Sequence, residues 1–173
     1  MTSNTYVGSS PNRVGGYDRV TGAQQYVADI HLVDELHAKL VTINESKARI
    51  ISIDTTKAEQ VPGVRLILTA DDLPKPMPRF GPQYQDRPVL AVDTVNYYGE
   101  PIAAVAGETK EAAEEGAAAV VVEYEVLPNV HTIDAALASD APLVQDPSLR
   151  VGEPFANTNI KTEINFGWGE IAD

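Results

Sequence analysis

The run IAAVAGETKEAAEEGAAAVVVEYEVL, residues 102–127, decides the fold class. Ile102 to Ala106 is a short apolar segment bounded by turn residues, which reads as a strand. Thr109 then stands where a helix cap is needed, since its hydroxyl can accept an unpaired amide of the first turn. Ala112, Ala113, Gly116, Ala117 and Val120 recur at helical spacing, opposite Lys110, Glu111, Glu114 and Glu115. Side chains this small let a helix approach a sheet closely. Val120 to Leu127 returns as a strand, so the order is strand, helix, strand, and whether the two strands are adjacent is left open by the sequence. The expectation is an α+β fold with one mixed or antiparallel sheet and a few packed helices.

Upstream, Leu36 to Ile43 and Ala48 to Ile53 read as strands, and the connection Asn44-Glu45-Ser46-Lys47 has a length that suits a hairpin, which makes this pair antiparallel. Asp54 or Thr55 can cap a short helix that ends over Gln60 to Gly63. Val64 to Leu68 is a further strand, followed by a helical turn at Asp71-Asp72-Leu73 with Thr69 as cap. The chain then enters a segment punctuated by Pro74, Pro76, Pro78, Pro82 and Pro88, with Phe80 and Tyr84 within it. A loop of about 14 residues is uncommon in a compact domain unless it carries a function. Proline fixes φ and removes amide donors, so this loop is stiff enough to hold two aromatic rings in place. Those rings anchor the loop to its own domain or face a ligand or partner, and the sequence leaves both open. Val89 to Ala91 and Thr94 to Tyr97 read as short strands, with Tyr98-Gly99-Glu100-Pro101 as a tight turn. Thr132 caps a last short helix to Ala138, and polar extended segments follow Ser139. The domain expectation is an N-terminal arm over 1–16, a folded domain over 17–138 and an extended C-terminal segment over 139–173.

The chain has 173 residues, which fits one domain with a tail. Thirteen Lys and Arg against 25 Asp and Glu give a formal charge of −12, which opposes nucleic acid and anionic membranes as partners. With no cysteine, the chain can supply no thiolate to zinc or an iron–sulfur cluster and no thiol nucleophile. There is no apolar run of about 18 residues, and Met1 to Arg13 lacks the order of a secretory signal, so a cytoplasmic location is expected. His31, His37 and His131 are scattered without metal-ligand spacing. Asp71-Asp72 could attract a cation, but negative charge is already favoured at the start of a helical turn. Neither a nucleophile elbow nor a phosphate-cradling glycine loop is present. No residue is therefore assigned a catalytic, cofactor-binding or metal-binding role. Glu108, Glu111, Glu114 and Glu115 read as the solvated face of the helix.

A resemblance adds what this chemistry lacks. Arg19-Val20-Thr21-Gly22-Ala23 with Tyr26-Val27-Ala28-Asp29-Ile30, then Leu36-His37-Ala38, resembles the opening of molybdenum hydroxylase large subunits. Ala48-Arg49-Ile50-Ile51-Ser52-Ile53-Asp54, Val61-Pro62-Gly63-Val64 and Leu68-Thr69-Ala70-Asp71-Asp72-Leu73-Pro74 continue it in order. Tyr98-Gly99-Glu100-Pro101-Ile102-Ala103-Ala104-Val105 and Val122-Glu123-Tyr124-Glu125-Val126-Leu127-Pro128 complete it, over about residues 13–138. The resemblance is to the xanthine dehydrogenase and aldehyde oxidase family, in its α/β hammerhead domain. It implies carbon hydroxylation with water as the oxygen source, carried out on another domain or subunit. This chain would bind no cofactor itself. Molybdopterin with its molybdenum, iron–sulfur clusters and FAD are implied for the complete enzyme, and the implied partners are the molybdopterin-binding part and the iron–sulfur and flavin domains or subunits.

The same likeness places the loop Lys75 to Pro88 beside the substrate channel, with Gln83, Tyr84 and Phe80 as channel candidates. Two positions depart from the family pattern: Ile43 to Ala48 lacks the histidines common there, and Gly99-Glu100-Pro101 replaces a commoner Gly-Gln-Pro. The second adds charge at a turn and leaves turn geometry intact. The alternative from a different class is a stand-alone acidic module for binding or assembly, without catalysis.

Overall fold

The computed structural model describes residues 8–82 and 84–169. The chain divides into two compact units, Met1–Glu35 and Leu36–Asp173. In the first, Gly16–Thr21 forms α1, with Gly15 and Gly22 on either side at φ of 70° and 76°. A 3-10 turn follows at Val27–Asp29, where the Asp29 carboxylate accepts the Tyr26 amide at 2.9 Å.

The second unit contains β1 (His37–Val41), β2 (Ala48–Asp54), β3 (Val64–Leu68), β4 (Arg79–Phe80), β5 (Arg87–Pro88), β6 (Thr94–Val95), β7 (Ala103–Gly107), α2 (Lys110–Ala119), β8 (Val121–Val126) and α3 (Ile133–Leu137). The single expected sheet is instead two three-stranded antiparallel sheets, ordered β1-β7-β3 and β6-β2-β8, with β4-β5 as a small hairpin. The expected hairpin between β1 and β2 does not form. β1 pairs with β7 from His37 opposite Gly107 to Val41 opposite Ala103, whereas β2 pairs with β8. The connecting residue Ile43 is buried in a cluster with Ala48, Ala91, Val95 and Ile102. The chain therefore crosses from one sheet to the other, because burying Ile43 requires it to run on rather than fold back. The strands β7 and β8 on either side of α2 likewise lie in different sheets.

Two smaller expectations are also corrected. Leu90 and Ala91 are buried, but Val89 to Ala91 is not a strand: the Val89 and Ala91 amides donate singly to the carbonyls of Pro78 and Pro101. After β2, Asp54 accepts the Thr56 amide at 2.9 Å in a local turn, and the 3-10 turn Ala58–Gln60 has no side-chain cap. The caps at Thr69, Thr109 and Thr132 form as the sequence requires, accepting the amides of Asp71, Ala112 and Ala135.

The seam between α2 and β7 is closely packed. Ala103, Val105 and Gly107 of β7 are buried, as are Ala112, Ala113 and Gly116 of α2. A Cβ on Gly107 would stand 2.7 Å from the Ala113 backbone nitrogen, and one on Gly116 would stand 2.7 Å from Val64 Cγ2 and 2.8 Å from Val105 Cγ1. Real carbon atoms do not approach this closely, so the seam admits no added methyl without displacing the helix. Outward-facing Glu114 pairs with Lys39 at 3.4 Å, and Glu108, just before the helix, pairs with Arg65. These exposed pairs contribute little stability.

The turn between β6 and β7 joins the two sheets. Gly99 takes φ of 81° there, and the Glu100 amide donates to the Tyr97 carbonyl at 3.1 Å. The turn geometry is as expected, but the Glu100 side chain folds inward and is only 2% exposed, with Oε2 accepting the Asn96 amide at 2.5 Å. Burial pushes its carboxyl pKa above the ordinary value, opposed by hydrogen bonds from Asn96 and Tyr97 and by the charge of Arg79.

Two outcomes follow from this packing. Gly107→Ala should destabilise the chain by about 1–3 kcal/mol, read as a lower unfolding midpoint in thermal or urea denaturation with unchanged far-UV dichroism; an unchanged midpoint removes the close-contact account. For Glu100, a raised folded pKa means the native state holds the proton more tightly than the unfolded chain. Its contribution is then fully present below the unfolded value of about 4.5 and is lost as pH rises through the folded value. Glu100→Gln keeps an acceptor for Asn96 and removes the charge, so its stability advantage over the parent should grow from pH 4 to pH 8. Parallel stability curves for the two proteins contradict this.

Candidate functional site

The proline-rich segment closes into a two-rung hairpin, with Arg79 opposite Pro88 and Phe80 opposite Arg87. Gly81 begins the turn where a Cβ would collide with the Tyr84 carbonyl, so only glycine allows the chain to fold back here. The Arg79 guanidinium donates to the Asp86 carbonyl at 2.9 Å and ties the far end of the turn to its start. Outside the hairpin, Gln145 Nε2 donates to Asp86 Oδ2 at 2.5 Å. The C-terminal segment is thus not merely extended: Pro147–Arg150 forms a 3-10 turn that packs beside the hairpin loop.

Arg150 organises this contact, and nothing in the sequence pattern marks it. It is 5% exposed, and its guanidinium donates to the carbonyls of Thr158, Ile160 and Lys161 at 3.3, 2.9 and 3.4 Å. Its Nε has no hydrogen-bond partner among the described residues. The guanidinium lies 6.0 Å from the centre of the Tyr84 ring, and Lys161 Nζ lies 5.9 Å from it. Two cations over one ring hold Tyr84 by cation–π attraction. Burial, then the Glu153 carboxylate that accepts from the phenol, raises the Tyr84 pKa. Phe80, by contrast, is 51% exposed. Gln83 lies outside the described residues.

A cavity of about 440 Å³ opens between the hairpin, the turn before β7 and the segment around Gln145. Arg79, Asp86, Arg87, Tyr97, Glu100 and Gln145 line it, together with Asp93 and Asp146. Phe80 and Tyr84 lie in the same hairpin but are not in this lining. Four carboxyl groups against two guanidiniums make a poor cradle for a pterin phosphate, and the lining offers no thiol or imidazole to a soft metal. Among the described residues, no group of three or more His, Asp or Glu converges as metal ligands. His31 contacts Glu35 at 2.8 Å, and the Asp72 carboxylate accepts the Thr69 amide and hydroxyl at 2.7 and 2.9 Å as part of its turn. The arrangement can present aromatic and polar groups to a neighbour.

The family model described as "Aldehyde oxidase and xanthine dehydrogenase, a/b hammerhead domain" matches residues 21–128. The chain is 33% identical over 165 residues to the nicotinate dehydrogenase large molybdopterin subunit of Eubacterium barkeri, covering 95% of this chain and 36% of that one. It is 37% identical over 155 residues to the xanthine dehydrogenase/oxidase of Felis catus, covering 88% of this chain and 11% of that one. Its structure matches the aldehyde oxidoreductase from Desulfovibrio desulfuricans with a TM-score of 0.71 and 30% identity, over 79% of this chain and 16% of that one. The chain thus spans about a third or less of the length of these relatives. With two antiparallel sheets bridged by one small-residue helix, over the residues that the family model matches, the chain belongs to the aldehyde oxidase and xanthine dehydrogenase family and carries its α/β hammerhead domain.

Proposed function

We propose that this chain is a structural part of a molybdopterin-dependent hydroxylase or dehydrogenase that acts in the cytoplasm. It packs beside a redox centre held by other polypeptide, and its proline-rich hairpin lines the route to that centre. The match to the hammerhead domain carries this reading. The donor set supports the division of labour: without cysteine, and with an acidic cavity lining, the described residues suit neither an iron–sulfur cluster nor a pterin phosphate. Molybdopterin, iron–sulfur clusters and FAD therefore belong to the molybdopterin-binding part and to the iron–sulfur and flavin domains or subunits of the complete enzyme. Among the described residues no helix is long and apolar enough to cross a membrane.

Within the hairpin, Tyr84 is the channel residue whose position is best determined, because Arg150 and Lys161 fix its ring from the C-terminal segment. Phe80 offers an exposed ring in the same hairpin, and Gln83 adjoins Tyr84 in sequence. A ring held at two points can bound a substrate path without costing further side-chain entropy when substrate passes.

In the assembled enzyme, Tyr84→Ala should raise KM or change the ranking of substrates, whereas Tyr84→Phe, which keeps the ring under both cations, should behave like the parent. Steady-state kinetics over a panel of heterocycles and aldehydes makes the measurement. Kinetics unchanged by Tyr84→Ala on every substrate remove Tyr84 from the channel.

A further inference from the structure

Two side chains of a single turn reach Tyr84. The turn is closed by the Glu153 amide, which donates to the Arg150 carbonyl at 3.0 Å. From it the Arg150 guanidinium meets the face of the Tyr84 ring, and the Glu153 carboxylate accepts from the phenol. The guanidinium has little freedom of its own. Nη1 donates to the Thr158 carbonyl, and Nη2 to those of Ile160 and Lys161. Those carbonyls are braced in turn. The Thr158 hydroxyl donates to the Phe155 carbonyl at 2.9 Å and accepts the Ile160 amide at 3.1 Å. Between them, Asn159 Nδ2 donates to the carbonyls of Ala136 and Pro142, each at 3.1 Å, while its Oδ1 accepts the Val144 amide at 2.9 Å. A ring engaged on its face and at its hydroxyl at once is confined to the rotamer that meets both.

We propose that Arg150 is the positioning residue that sets substrate selection in the channel, by fixing the face that Tyr84 presents; this rests on the placement of Tyr84 in the channel proposed above. Arg150 is itself too deeply buried to meet a substrate, so its effect passes through the ring. Lys161 stands at a similar distance but is exposed, and an ammonium in water attracts a ring less than a desolvated guanidinium does. The unpaired Nε accords with this role: a placement that serves the ring and three carbonyls leaves one donor unmet among the described residues. The selecting element thus lies outside residues 21–128, which the family model matches.

The test uses the assembled enzyme, with xanthine, nicotinate and benzaldehyde as substrates, and a fluorinated tyrosine at position 84 as a spectroscopic probe. Arg150→Met should shift the fluorine resonance and raise KM about threefold or more, with kcat per molybdenum changed less than about twofold. Arg150→Lys guards against misfolding of that variant. It keeps a charge and donors for the carbonyls but lacks the planar fork, and should move both readouts in the same direction. In the Tyr84→Ala background neither substitution should change KM further, because residues that act as one unit do not add. A fluorine resonance or a KM left unmoved by both Arg150 variants overturns the positioning role. So do losses that simply add to those of Tyr84→Ala, since Arg150 would then act on the fold rather than through the ring. Either result leaves Tyr84 in the channel as long as Tyr84→Ala alone changes KM. Tyr84→Ala without effect on any substrate overturns both.

Discussion

The second unit depends on how closely a helix can lie on a strand. Gly107 and Gly116 face positions where one added carbon would fall within 3 Å of existing atoms, and Ala112 and Ala113 fill the remainder. With larger residues in this seam, α2 would stand off the sheet and the buried cluster of Val41, Ala103, Val105 and Val120 would open. Because α2 runs from the end of β7 in one sheet to the start of β8 in the other, its height above β7 also sets where the second sheet begins. Close packing at one seam thereby fixes the relation of two sheets, each too small to persist without a covered face.

Glu100 works on the same junction from the other side. It sits between β6 and β7, the other place where the chain passes from one sheet to the other next to β7. Its side chain accepts from the Asn96 amide and so gives this half-buried residue's N–H a partner at the sharp turn. A glutamine would accept that bond equally well without the cost of desolvating a charge. The carboxylate therefore carries a desolvation cost at the junction between the sheets that the turn itself does not require.

Local signals carry much of this fold in the sequence. The threonine caps, the glycine-containing turn and the small-residue stripe of α2 depend on residues within about one turn of each other, and each appears where the local pattern places it. The strand partners are less legible. Asn44 to Lys47 has hairpin length, yet β1 and β2 belong to different sheets, because pairing depends on which distant strand completes each buried face. Arg150 escapes notice for a related reason. An arginine in a polar stretch ordinarily faces solvent, and only the return of the backbone over residues 158–161, with its three carbonyls, makes a buried guanidinium tolerable. The candidate site is legible as a stiff loop holding two aromatic rings. The clamp on one of those rings is not, since both cations come from a segment that reads as extended.

These features divide the domain into a part that holds itself together and a part that faces outward. The seam at α2 and the buried turn at Glu100 are satisfied within the chain. Phe80 on the hairpin, Leu40 of β1 and Leu66 of β3 are left partly in water. Such exposure costs stability in isolation, since apolar area that stays wet contributes nothing to folding. Tyr84 belongs with the first part: Arg150 and Lys161 hold its ring by contacts made within the same unit, so its position needs no neighbour.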